Sequence, residues 1–149
     1  MATTSKTKAP ARKAKSKVFS DAELEAMQDT KRERKKGSAN GEADLRAAIA
    51  KLDSAERPMV EKFHDIVMAN APSLSPRTWY GMPAWANDKG KAVCYFTPAG
   101  KFKERYATFG FNADAKLDDG NMWATSYALL KLGDAEARKI AALVKKAVG

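Results

Sequence analysis

The chain is poor in the residues from which most catalytic and metal centres are built. It has one cysteine, Cys94, and one histidine, His64, in 149 residues. A single cysteine forms no internal disulfide and anchors no cysteine-rich zinc site. No GxxxxGK[ST] or GxGxxG element occurs, so nothing supports nucleotide hydrolysis or dinucleotide binding. No apolar run approaches the roughly 18 residues of a membrane span. The basic N-terminus lacks the apolar stretch of a secretory signal. These absences lead us to expect a protein of the cytoplasm, without membrane insertion.

Positive charge is abundant, with a formal net charge of +9. Residues 1–40 hold eleven basic and five acidic side chains, and the remaining 109 residues hold sixteen and thirteen. Residues 1–18 are mostly Ala, Lys, Ser and Thr, too polar to offset the entropy of ordering, and read as a disordered basic arm. Such an arm stays solvated or meets a phosphate backbone through salt-sensitive forces. Residues 19–41 read as a charged helix and linker. Phe19-Ser20-Asp21-Ala22-Glu23-Leu24 supplies a cap and a staple for that helix, which runs to about Lys36, and Gly37 to Gly41 form the linker.

The domain is expected over 42–149. Leu45, Ala48, Ile49 and Leu52 share one helical face, and Met59, Val60, Phe63, Ile66 and Val67 share another. Asp53, three residues before Glu56, is a candidate capping box for the second helix, and the two helices are candidates for an antiparallel pair. Strands are expected around a Gly81-Met82-Pro83 turn, over Lys91–Phe96 after an Asn87-Asp88-Lys89-Gly90 turn, and over Phe102–Phe109, with a short segment at Met122–Tyr127. Asp134 is placed as the cap of a last helix striped by Ile140, Leu143, Val144, Ala147 and Val148. The class is α+β, an antiparallel sheet of three to five strands packed on helices.

Nine of the thirteen aromatic residues lie between Trp79 and Phe111. They serve either as core or as the walls of a ligand surface. Lys103 and Arg105, two apart, would share a strand face able to take an anion or to underlie a stacked base. Trp79, Tyr80, Met82, Trp85, Tyr95, Lys103, Arg105 and Trp123 form the candidate ligand-binding set. No catalytic group is assigned. His64 is expected to be a partly exposed helix residue and Cys94 a small core hydrophobe. A Cys-His dyad would require a contact that the sequence gives no reason to assert. Asn112, Asp114, Asp118 and Asp119 carry oxygen ligands in a loop, without the spacing of a calcium-binding loop.

Trp79-Tyr80-Gly81-Met82-Pro83-Ala84-Trp85, with Gly90-Lys91 and Cys94-Tyr95-Phe96, resembles the small bacterial family typified by YdhG. Residues 102–111 and Leu117-Asp118-Asp119-Gly120-Asn121-Met122-Trp123 resemble it too, so the resemblance spans about residues 42–148. It implies a compact α+β domain. Some relatives are described as frataxin-like iron chaperones, which would imply exposed carboxylates that hold iron weakly. Here Glu42, Asp44, Glu56, Glu61 and Asp65 alternate with Arg46, Lys51, Arg57 and Lys62. The sequence itself favours a non-enzymatic domain that binds a small molecule or protein partner through an aromatic-lined surface. Iron carriage and a nucleic-acid accessory role for residues 1–36 are the alternatives.

Overall fold

The computed structural model describes residues 22–23 and 41–149. Ala22 and Glu23 are helical. The rest of the expected 20–36 helix, the basic arm and residues 37–40 of the linker lie outside the described residues. Helix α1 spans Gly41–Ala50, α2 spans Arg57–Asn70 and α3 spans Asp134–Val148. Between α2 and α3 run β1 (Ser75–Trp79), β2 (Met82–Ala86), β3 (Ala92–Thr97), β4 (Ala107–Phe111) and β5 (Ser126–Leu129). The sheet is a simple meander in chain order, with every neighbouring pair antiparallel.

The apolar stripes bury as their spacing predicts. Leu45, Ile49, Val60, Phe63, Val67, Ile140, Val144 and Ala147 form one cluster with Trp85, Cys94, Phe96, Phe109 and Phe111. The register fixes which sheet face this is. Trp85 opposes Cys94, Cys94 opposes Phe111 and Phe96 opposes Phe109, so these side chains project to the same side. Phe63 is the hub, with ring centroids 5.3, 5.1 and 5.3 Å from Trp85, Phe96 and Phe109.

Several expectations need correction. Gly41 belongs to α1 and is buried; it is not linker. A side chain there would overlap the backbone carbonyl of Pro76, so glycine lets α1 lie close against β1. Helix α1 accordingly lies nearest β1 and α2 nearest α3, with a smaller contact between α1 and α2 themselves. The Asp53–Glu56 capping box does not form. Glu56 is itself the cap residue of α2, and its carboxylate accepts N–H bonds from Ala99 at 2.8 Å and Gly100 at 3.1 Å. Gly133, not Asp134, precedes α3, where the Glu136 carboxylate accepts its N–H at 2.8 Å. Residues 98–106 form a turn-rich loop, so Lys103 and Arg105 are not on a strand, and β5 begins at Ser126.

Candidate functional site

The first hairpin determines where the rings go. Trp79 opposes Met82, leaving Tyr80 and Gly81 as a two-residue turn. Both have positive φ, 53° and 74°, as a type I′ turn requires. The Met82–Pro83 bond is trans. The turn therefore sits one residue earlier than the Gly81-Met82-Pro83 reading placed it. The pairing puts Trp79, Met82 and Ala84 on one side and Pro83 and Trp85 on the other, with Trp85 in the helical core.

Trp85 is fully buried, which corrects its place in the ligand-binding set. Its indole N–H donates to His64 Nδ1 at 3.0 Å. His64 is thus a buried acceptor and not a half-exposed helix residue. The proton of the neutral ring then lies on Nε2. Burial first, and then the Arg46 charge, hold the His64 pKa below its ordinary value, against weaker opposing effects of Asp65 and Glu42. A depressed histidine pKa means that the unfolded chain takes up the proton first. This contribution to stability is complete above about pH 6.5 and is lost as pH falls toward the folded pKa. We expect the melting temperature to drop between pH 7.5 and pH 5 by more in the parent protein than in His64→Gln, as measured by circular dichroism. Equal drops would contradict the assignment.

Cys94 is buried, and desolvation pushes its thiol pKa far up. It is a core hydrophobe, as its apolar neighbours suggested. The His64 acceptor nitrogen is bonded to Trp85, so no Cys-His pair is formed through it. Asp114 accepts a side-chain N–H from Asn87 at 2.7 Å, and Asn112 donates to the Ala92 carbonyl at 3.0 Å. Among the described residues no three His, Cys, Asp or Glu side chains are grouped to hold a metal ion. Among the same residues no helix is long and apolar enough to cross a membrane.

The opposite sheet face holds Trp79 and Tyr95, with Tyr80 at its hairpin end. Arg77, Ala84 and Tyr95 face one another across β1, β2 and β3, and Tyr95 opposes Gly110 on β4. Trp79 reaches across β2 to Tyr95, with ring centroids 5.4 Å apart. Ala84, small and wholly buried, lies between them. A Cβ on Gly110 would collide with the Tyr95 ring, so the glycine lets that ring lie flat over β4. Tyr80 stands edge-on to Trp79 at 4.9 Å and is 41% exposed. Trp79 and Tyr95 are half-buried, and Met82 is buried beneath them, where its sulfur accepts the Thr97 hydroxyl at 3.3 Å.

The loop 98–106 meets this hairpin. Lys101 Nζ donates to the Gly81 carbonyl at 3.2 Å, and the Glu56 carboxylate holds the loop from the helical side. Lys103 and Arg105 are exposed, with the Arg105 guanidinium 5.0 Å from the Tyr106 ring centroid. Among the described non-glycine residues only Tyr80 and Lys103 have positive φ, 53° and 56°. Both strained positions therefore flank the same end of the sheet. Trp123 does not join them. It lies in the β4–β5 connection at the other end, 38% exposed, beside Met122 at 87%.

Of the eight candidates, the structure thus gathers Trp79, Tyr80, Met82 and Tyr95, leaves Lys103 and Arg105 on the loop at the same end of the sheet, and separates Trp85 and Trp123. Sequence reasoning missed Gly110 and Glu56. The placement of Gly110 between Phe109 and Phe111 was a usable signal, because alternation sends a residue flanked by two core rings to the other face. The local pattern made Glu56 half of a capping box and gave no sign of its actual partners, 43 and 44 residues away. Comparison with known proteins gives no match: no family model matches the chain, and no curated protein or solved structure matches it significantly.

Proposed function

We propose that this chain is a non-enzymatic binding domain, acting in the cytoplasm, that presents the Trp79–Tyr80–Tyr95 face to a flat small molecule or to an aromatic group of a protein partner. One observation carries the reading. Tyr80, a bulky residue, occupies a positive-φ turn position that Asn or Gly fills at lower cost, and there it extends a ring cluster on the sheet face opposite the helical core. Backbone strain of this kind, about 1–3 kcal/mol, collects at functional positions.

The test separates fold from function. Tyr80→Asn exchanges a strained residue for one favoured in the turn, and it gives up one exposed ring contact. Its melting temperature is expected to equal or exceed that of the parent. Naphthalene-1-sulfonate, a flat aromatic anion, is expected to shift the NMR signals of Trp79, Tyr80 and Tyr95 saturably and to leave Trp85 unmoved. Affinity should fall about fivefold or more in Tyr80→Asn, as one lost stacking contact implies. Shifts spread evenly over the domain, or an unchanged affinity in the variant, would contradict the reading.

The YdhG resemblance supports the same α+β layout and keeps iron carriage as the alternative. Anaerobic titration with ferrous iron decides it: saturable binding at micromolar metal supports carriage, and its absence removes it.

A further inference from the structure

We infer that the occupant of the Trp79–Tyr80–Tyr95 face is a single-stranded polynucleotide, whose bases stack on the rings and whose phosphates meet Lys103 and Arg105; this rests on the binding reading above.

Charge supports the choice. Among the described residues, the face opposite the helices includes Arg77 and Trp79 of β1, Met82 and Ala84 of β2, Tyr95 and Thr97 of β3, Thr108 and Gly110 of β4, and Ser126 and Ala128 of β5. These residues carry one cation and no carboxylate. At the end where Tyr80 projects, the 98–106 loop adds exposed Lys103 and Arg105 along with exposed Glu104, while the Asp53 carboxylate lies beside Gly100. Glu56 is turned away from that surface, because its two oxygens accept the backbone N–H groups of Ala99 and Gly100. An anion with flat faces finds both rings and exposed cations at this end of the sheet.

Shape supports the same occupant. Gly110, Ala84, Ser126 and Ala128 keep the sheet low around Tyr95, leaving a shallow platform without walls. A duplex hides the faces of its bases, but a single strand offers a π-face at every nucleotide. Stacking on aromatic side chains with phosphate contacts at the margin is the general way in which sheets hold single strands.

Fluorescence anisotropy with labelled (dT)15, (rU)15 and a 15-base-pair duplex tests the proposal on the full chain. We expect both single strands to bind more tightly than the duplex, with affinity falling steeply from 50 to 250 mM salt. Tyr80→Asn, shown to be folded by its melt, should weaken single-strand binding about tenfold, as should Lys103→Glu combined with Arg105→Glu. Equal affinity for duplex and single strand, or single-strand affinity unchanged in Tyr80→Asn, would overturn the proposal and leave only nonspecific attraction to the basic segment. If no oligonucleotide binds while naphthalene-1-sulfonate still shifts Trp79 and Tyr95, the polynucleotide assignment falls and the binding face stands. If neither binds, both fall.

Discussion

Phe63→Ala is expected to destabilise the domain by about 3–5 kcal/mol, as truncation of a fully buried phenylalanine does where neighbours cannot close the gap. The neighbours here are poorly placed to do so. Trp85, Phe96 and Phe109 belong to three different strands, and each holds a ring centroid within 5.3 Å of Phe63. Their strands are fixed by the sheet ladder, so collapse would require the backbone to move. Domains of this size are stable by about 5–15 kcal/mol, and the variant should lose a large part of that margin. Urea denaturation followed by tryptophan fluorescence measures it. A loss under 1 kcal/mol would mean that Phe63 is not the hub of the core.

Gly41→Ala is expected to be destabilising by about 1–3 kcal/mol, the range of overpacking, and its sign is the informative part. Helix propensity alone predicts that alanine stabilises a helical position by about 1 kcal/mol relative to glycine. The added methyl would overlap the Pro76 carbonyl oxygen, which is backbone and cannot swing aside. Either α1 lifts from β1, loosening Leu45 and Ile49 in the core, or β1 shifts with it. The same urea experiment reports the sign. A stabilised Gly41→Ala would show that α1 does not sit this close to the sheet edge. Because β1 carries Trp79, a destabilised variant should also bind naphthalene-1-sulfonate more weakly.

The elements that sequence reasoning located well are those whose signal is local and repetitive. The α2 and α3 stripes, the Asn87-Asp88-Lys89-Gly90 turn and the apolar β3 follow directly from residue spacing. Asn87 illustrates the turn chemistry, with its side-chain oxygen accepting N–H bonds from Lys89 and Lys91. What was lost depends on phase or on distant partners. Trp85 was grouped with the ligand-facing rings, and the Tyr80–Gly81 turn and its register place it on the helical face instead. Tyr-Gly is an unusual pair for such a turn, so its residues gave no warning.

Distance in sequence hid the rest. His64 looked half-exposed because its helix neighbours alternate in polarity. Its burial is decided by Trp85, 21 residues on, which needs an acceptor for its indole N–H. Glu56 looked like half of a capping box because Asp53 stands three residues before it. The loop 98–106 supplied better-placed donors, and the carboxylate took them. Lys103 and Arg105 looked like a strand pair from their spacing. Pro98 and Gly100 delay the returning strand until Ala107. The aromatic cluster was therefore legible as a set of residues, but not as two opposite faces.

The rings divide into a sealed set on the helical face and a more exposed set, Trp79, Tyr80 and Tyr95, on the other. Solvent paramagnetic relaxation of aromatic NMR signals, with a neutral gadolinium chelate added to the full-length protein, measures that division directly. The account predicts strong relaxation of Tyr80, intermediate relaxation of Trp79 and Tyr95, and none for Trp85, Phe63 and Phe96. Trp79 and Tyr95 as protected as Trp85 would contradict it.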